Sequence, residues 1–300
     1  RLWPGRRALL IHALDQAKAV LGSRAAWDSE ALWPELAAGT ARFRARDYPL
    51  DARPRTHALS LFDVTGENRL RTALLQDRGV ILLGNHMGAY LAGMHWLYRN
   101  GLPIHSMVQK PSHVSRTLTR LFDEAHPSGS AADFFLQRRP TPDQAISLML
   151  RARSLLRDRK IIYLCGDIPW LGANTRRGSL LGHKHQFLSV WTDLAVLSKT
   201  PVFQVFCSHL PNGRFQLDFD EFGTIAAGEE DQAVTRYLAR LESQIAAQPD
   251  QAVAHLLWPC YQTPAVEPTS RRIALGLQTD LAQKASPRFS RQKRKTTRRP

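Results

Sequence analysis

Val80, Ile81, Leu82 and Leu83 form an uninterrupted apolar run closed by Gly84. A run this short, with no alternation, predicts a strand buried on both faces. Gly84-Asn85 then turns the chain, and Met87, Leu91, Met94 and Leu97 recur at helical spacing. His86 therefore falls where a core strand ends and a helix begins. In an α/β sheet that edge gathers strand ends, helix N-termini and free backbone N–H groups into one crevice. A neutral imidazole there can act as a general base. It can equally be a satisfied structural histidine.

The rest of the chain repeats the strand-then-helix pattern. Strands are predicted at Leu61 to Val64, Ile104 to Val108, Asp133 to Leu136, Ile161 to Cys165, Val202 to Cys207 and Phe215 to Phe219. Helices are predicted at Asn68 to Gln76, Val114 to Glu124, Pro142 to Arg157, Phe187 to Ser198 and Asp231 to Ala247. This alternation implies an α/β fold with a mainly parallel or mixed central sheet and helices on both faces, and Pro211-Asn-Gly-Arg214 marks a late hairpin. Upstream, Leu9, Leu10, Ala13, Leu14, Ala17, Val20 and Leu21 make one apolar stripe, and a second helix is expected over Asp28 to Arg46. Packing on the core is the plain role of the first helix; lying on a membrane surface is the alternative. Three segments follow: 1–58, helical and packed on the core; 59–265, the α/β domain; 266–300, a basic tail.

A formal charge of +15 and a pI near 10.4 point to an anionic partner, nucleic acid or an acidic membrane surface. Ten Lys or Arg lie after residue 270 against one acid, Asp280, so much of the excess sits in the tail. Such a tail has too little apolar surface to offset its ordering entropy and reads as disordered, with polyanion binding as the second reading. Cys165, Cys207 and Cys260 are scattered and odd in number, which suits a reducing compartment and neither a disulfide framework nor a zinc ribbon. No apolar run approaches the ~18 residues needed to span a bilayer. The chain opens on Arg1, so an upstream anchor stays open.

Several chemistries lack their motif. There is no Gly-x-Ser-x-Gly elbow, no Walker loop and no Gly-x-Gly-x-x-Gly stretch. His183 and His185 could share a strand face, yet two histidines without a third ligand do not assign a metal. No nucleic-acid reading module is recognisable, which leaves the basic tail alone behind that class.

In order along the chain stand Gly84-Asn-His86-Met-Gly88, Gln109-Lys110-Pro111 with Arg116 and Arg120, Leu164-Cys-Gly-Asp167, Ser179-Leu-Leu-Gly182, Thr200-Pro201-Val202, Gly213-Arg214-Phe215 and His255-Leu-Leu-Trp258. This series of blocks, from about Phe62 to Tyr261, resembles the lysophospholipid acyltransferase superfamily and, within it, the bacterial late lipid A acyltransferases. The resemblance implies transfer of a fatty acyl chain from an acyl-carrier protein or acyl-CoA thioester to a hydroxyl of a glycolipid or phospholipid. It implies no bound cofactor and a place at the cytoplasmic face of the bacterial inner membrane, with the basic tail on anionic lipid. His86 would be the general base. Asn85, Gly88, Lys110, Arg120, Arg176, Arg177 and Gly182 would form the substrate site, the last three on a Gly-bearing loop from Gly172 to Gly182.

One position departs from that pattern. The family places an Asp or Glu five residues after its histidine, where this chain has Leu91, and no other histidine here has an acid at that spacing. An apolar side chain cannot orient an imidazole. Asp167, at another strand end, is the candidate replacement, alongside its plainer reading as an acid that caps or pairs with the following loop; Asn85 and Tyr90 offer weaker neutral hydrogen bonds. The alternative is a descendant of the fold that has lost chemistry and binds lipid or a partner.

Overall fold

A computed structural model describes residues 4–76, 78–108, 113–125, 141–170 and 174–262. These residues belong to one compact unit. The predicted strand Asp133 to Leu136, Lys110 and the tail from residue 266 lie outside the described residues.

Six strands form the central sheet in the order β1-β8-β7-β2-β4-β3: β1 Phe62–Thr65, β2 Val80–Gly84, β3 Ile104–Ser106, β4 Ile161–Cys165, β7 Val202–His209 and β8 Phe215–Gly223. All neighbours are parallel except β7 and β8, the hairpin turned at Pro211 to Arg214. The sheet is mixed and mainly parallel, and the fold class is α/β.

Alternation along the central strands divides the core. Ile81, Leu83, Ile162, Leu164 and Val202 face one layer, with helices α1 Pro4–Leu21, α2 Ser29–Ala45, α7 Pro142–Arg157, α8 Val190–Ser198 and α9 Glu230–Ala247. Val80, Leu82, Ile161, Tyr163, Phe203 and Val205 face the other, with α3 Arg55–Leu59, α4 Glu67–Leu75, α5 Tyr90–Arg99 and α6 Arg116–Ala125. Strands covered on both faces need apolar residues at consecutive positions, which is why β2 shows no alternation.

Local chemistry sets several boundaries. Asp28 caps α2, its side chain accepting from the Glu30 N–H, and Thr141 and Gln144 close a reciprocal capping box at the start of α7. In α1 the buried stripe is Leu10, Leu14, Ala17 and Leu21. Leu9 and Val20, expected in that stripe, are 58% and 45% exposed, because the helix buries a narrower face than the apolar count suggests.

The segment read as a Gly-bearing loop ending at Gly182 is corrected over its described part. It forms an antiparallel hairpin, β5 Thr175–Leu180 with β6 His183–Leu188. Leu181 and Gly182 make its two-residue turn, both at positive φ (49° and 78°), as such hairpins require. After α9, two short helices, α10 Val253–Leu257 and α11 Pro259–Gln262, bring His255, Trp258 and Tyr261 back over the strand ends.

Candidate active site

The sheet register juxtaposes the two strand ends. Gly84, the last residue of β2, pairs with Cys165, the last of β4. Two residues further along each strand stand His86 and Asp167, so parallel pairing carries them side by side at the carboxyl edge of the sheet. The His86 Nδ1 lies 2.9 Å from Asp167 Oδ1, and the His86 backbone N–H donates to Oδ2 at 2.7 Å.

Glycines make that approach possible. A Cβ on Gly84 would overlap the Tyr163 hydroxyl, and one on Gly166 would lie about 3 Å from Leu83, Trp191 and Tyr237. The Tyr237 hydroxyl donates to the Gly84 carbonyl at 2.8 Å and holds the strand end. Beyond it, Asn85 turns the chain: its Oδ1 accepts from the Met87 N–H at 2.9 Å and its Nδ2 donates to the Val205 carbonyl at 3.1 Å. Gly88 has φ +58°, and a Cβ there would meet the Cys207 carbonyl at 2.5 Å. Its N–H donates to the Gln251 carbonyl, and the Ala89 N–H to the Cys207 carbonyl.

Asp167 has no exposed surface. Besides its two bonds with His86, it accepts from His255 Nε2 at 2.9 Å and from the Tyr261 hydroxyl at 3.4 Å. Burial alone would push this carboxyl up, but His86 and His255 outweigh it and hold the group well below the usual carboxylate range. An ionised carboxylate only accepts, so both imidazoles present N–H to it: Nδ1–H from His86 and Nε2–H from His255. In the neutral form of the ring, Nε2 of His86 is then the nitrogen with the lone pair. Among the described residues it has no hydrogen-bond partner, and His86 lines a cleft.

That cleft has a volume of about 330 Å³. Leu91, Met94, Met107, Phe122, Leu188 and Trp258 supply much of its apolar wall, and Arg46 and His113 its polar part. The Tyr90 ring lies 4.9 Å from the His86 ring, and Trp258 lies 6.2 Å away. The Tyr90 phenol is pushed up by burial.

Cys165 also lines the cleft, and a ligand atom from each of His86, Cys165 and Asp167 lies within 4.8 Å of the others. The donor set does not suit an ion. Both carboxylate oxygens are committed to N–H and O–H donors, and burial, then the Asp167 charge, push the thiol up and keep it protonated.

The residues expected to bind substrate are not gathered here. Asn85 and Gly88 build the turn under His86 and do not line the cleft. Arg176 is spent on Asp193 and Asp231 at 2.8 and 2.9 Å, tying the hairpin to α8 and α9. Arg177 is an exposed hairpin residue, and Gly182 is the hairpin turn against Val20. Arg120 is exposed on α6 and pairs with Glu124 at 3.4 Å. Lys110 is outside the described residues. In turn, Arg46 and Tyr261 emerge as site residues that no spacing announced, and His255, named only within the block His255-Leu-Leu-Trp258, proves to be a donor to Asp167; each belongs to a helix end or short helix remote in sequence from His86. Protein-family models and curated proteins provide no match to this chain.

Proposed function

We propose that the chain is an O-acyltransferase in which His86 and Asp167 form the general-base pair. The observation that carries this reading is the 2.9 Å contact of His86 Nδ1 with a buried, charged Asp167, which leaves Nε2 as the ring nitrogen free to meet a hydroxyl at an apolar cleft. An acceptor hydroxyl gives its proton to Nε2 as its oxygen attacks the carbonyl carbon of an acyl thioester. Asp167 holds the tautomer and stabilises the imidazolium that forms. Collapse of the tetrahedral intermediate breaks the carbon–sulfur bond, and the leaving thiolate takes the proton back from Nε2.

The turn itself offers the oxyanion little. The N–H groups of His86, Met87, Gly88 and Ala89 are all bonded internally. The first turn of α5, which has no side-chain cap, is the neighbouring source of partial positive charge. A thioester donor and a lipid hydroxyl acceptor suit the apolar wall, which would take an acyl chain out of water.

The test is transfer of a radiolabelled acyl group from an acyl thioester to an extracted glycolipid and phospholipid pool. His86→Ala should abolish it. Transfer that persists unchanged in His86→Ala would sink the mechanism, and absence of transfer by the parent across several donors would favour a lipid-binding role for the same cleft.

A further inference from the structure

Among the described residues, the cleft holds a guanidinium without a counter-ion. Among its described lining residues Arg46 is the only Lys or Arg, and none of them is an Asp or Glu. The side chain is half-buried and has no hydrogen-bond or ion-pair partner among the described residues. Arg42, one turn earlier on α2, shows the contrast: its guanidinium is paired with Asp250 at 2.9 Å. Taking a cation partly out of water against an apolar wall costs free energy unless an anion joins it.

The backbone adds to the cost. Arg46 ends α2 at φ 52°, ψ −129°, a conformation disfavoured by a Cβ and natural for glycine. The next residue pins it there. Asp47 has no exposed surface, lies 2.8 Å from His95 Nε2 on α5, and accepts from the Ser115 N–H at 3.1 Å. The segment is thus tied to α5 and to the lead-in of α6, both of which contribute to the cleft. Asp47 itself is spent on His95 and Ser115, and Asp167 on its own four donors.

From this geometry we infer that Arg46 binds a phosphate-type oxyanion carried by the acceptor, which makes the acceptor an acidic amphiphile. The anion sits at Arg46, the hydroxyl to be acylated at His86 Nε2, and the apolar part in the rest of the cleft. Arg rather than Lys suits the task, because a planar fork meets two phosphate oxygens at once. Naming the acceptor in this way rests on the acyltransferase reading; the anion site does not.

Trp170 and Trp258 line the cleft, so intrinsic fluorescence of the full chain reports binding. Dodecyl phosphate should bind more tightly than neutral dodecyl maltoside, with a preference that shrinks as salt rises. Arg46→Gly should weaken dodecyl phosphate by about tenfold or more and leave the maltoside unchanged. Glycine relieves the backbone at this position, so the variant should melt no lower than the parent, and Arg46→Lys should retain part of the affinity. Parent-like dodecyl phosphate binding by Arg46→Gly would overturn the site.

In the transfer assay, the same variant should raise the acceptor KM with little change in kcat. A rise in donor KM alone would place the anion on the thioester donor, and a fall in kcat alone would make Arg46 an oxyanion stabiliser; either would overturn the assignment. If the parent transfers nothing while dodecyl phosphate still binds through Arg46, the acyltransferase reading fails and the anion site stands.

Discussion

At the scale of the residue, the site turns on how a buried carboxylate is kept charged. Asp167 has no exposed surface, yet four donors converge on it, two of them imidazole N–H groups from opposite ends of the domain sequence. Its depressed pKa fixes the sign of a pH effect: its stabilising contribution is present above the ordinary carboxylate value and is lost as pH falls through the lower folded value. Asp167→Asn should remove that acid-side dependence in urea unfolding curves taken from about pH 6 down to about pH 2. In the transfer assay it should lower kcat by about 10³–10⁴, by analogy with hydrolase triads that lose their orienting acid, with a smaller change in KM. Leu91→Glu should not raise activity. Leu91 is 6% exposed and lines the cleft beside an imidazole whose Nδ1 is already engaged, so an added carboxylate would be a partly buried, unpartnered charge. An increase in kcat would show instead that Asp167 leaves His86 short of an orienting group.

At the scale of the element, two strand ends and one turn bear the geometry. Gly88→Ala combines a positive φ with a contact on the Cys207 carbonyl, a backbone atom that cannot swing away. It should cost about 2 kcal/mol or more, read as a drop of roughly 4–8 °C in melting temperature. An alanine tolerated there without loss would mean that the turn carries no such constraint. The β5–β6 hairpin shows why an element can be missed. Its turn is Leu181-Gly182 rather than Asn-Gly, and its outward residues Arg177, Ser179 and Lys184 hide the strand pattern among charges. Its arginines looked like ligand contacts for the same reason: polarity at a strand edge serves ion pairs between elements as readily as it serves a substrate.

At the scale of the whole molecule, charge and protonation act on stability and on association. His209 on β7 is drawn out of water and lies in the field of Arg42, which together lower its pKa to about 4. The unfolded chain takes up this proton first, so stability should fall as pH drops from about 6.5 towards 4, by about 2 kcal/mol after allowance for partial exposure. His209→Gln should flatten that limb of the stability curve; an unchanged slope would assign it to another group. Deleting 289–300 removes six Lys or Arg, and should weaken adsorption to anionic vesicles in a salt-dependent manner with little change in thermal stability. A large loss of thermal stability would show that this segment contributes to packing.

Apolar periodicity by itself was enough to determine the α/β class, most strand positions and the edge at which His86 stands, because burial on one or two faces leaves its mark at local spacing. β2 and β4 were legible for that reason: both faces are covered, so neither alternates. The partner of His86 was not legible in the same way. Asp167 follows it by 81 residues, and only the parallel register of Gly84 with Cys165 brings the two together. Arg46 was less legible still: it stands among several arginines on α2, and nothing local separates the one that pairs with Asp250 from the one left facing the cleft. Pairing across a sheet and the choice of counter-ion are long-range properties, decided when remote segments share one crevice. The sequence could offer Asp167 as one candidate, but only tertiary structure could determine that it faces the imidazole, and which guanidinium has no partner among the described residues.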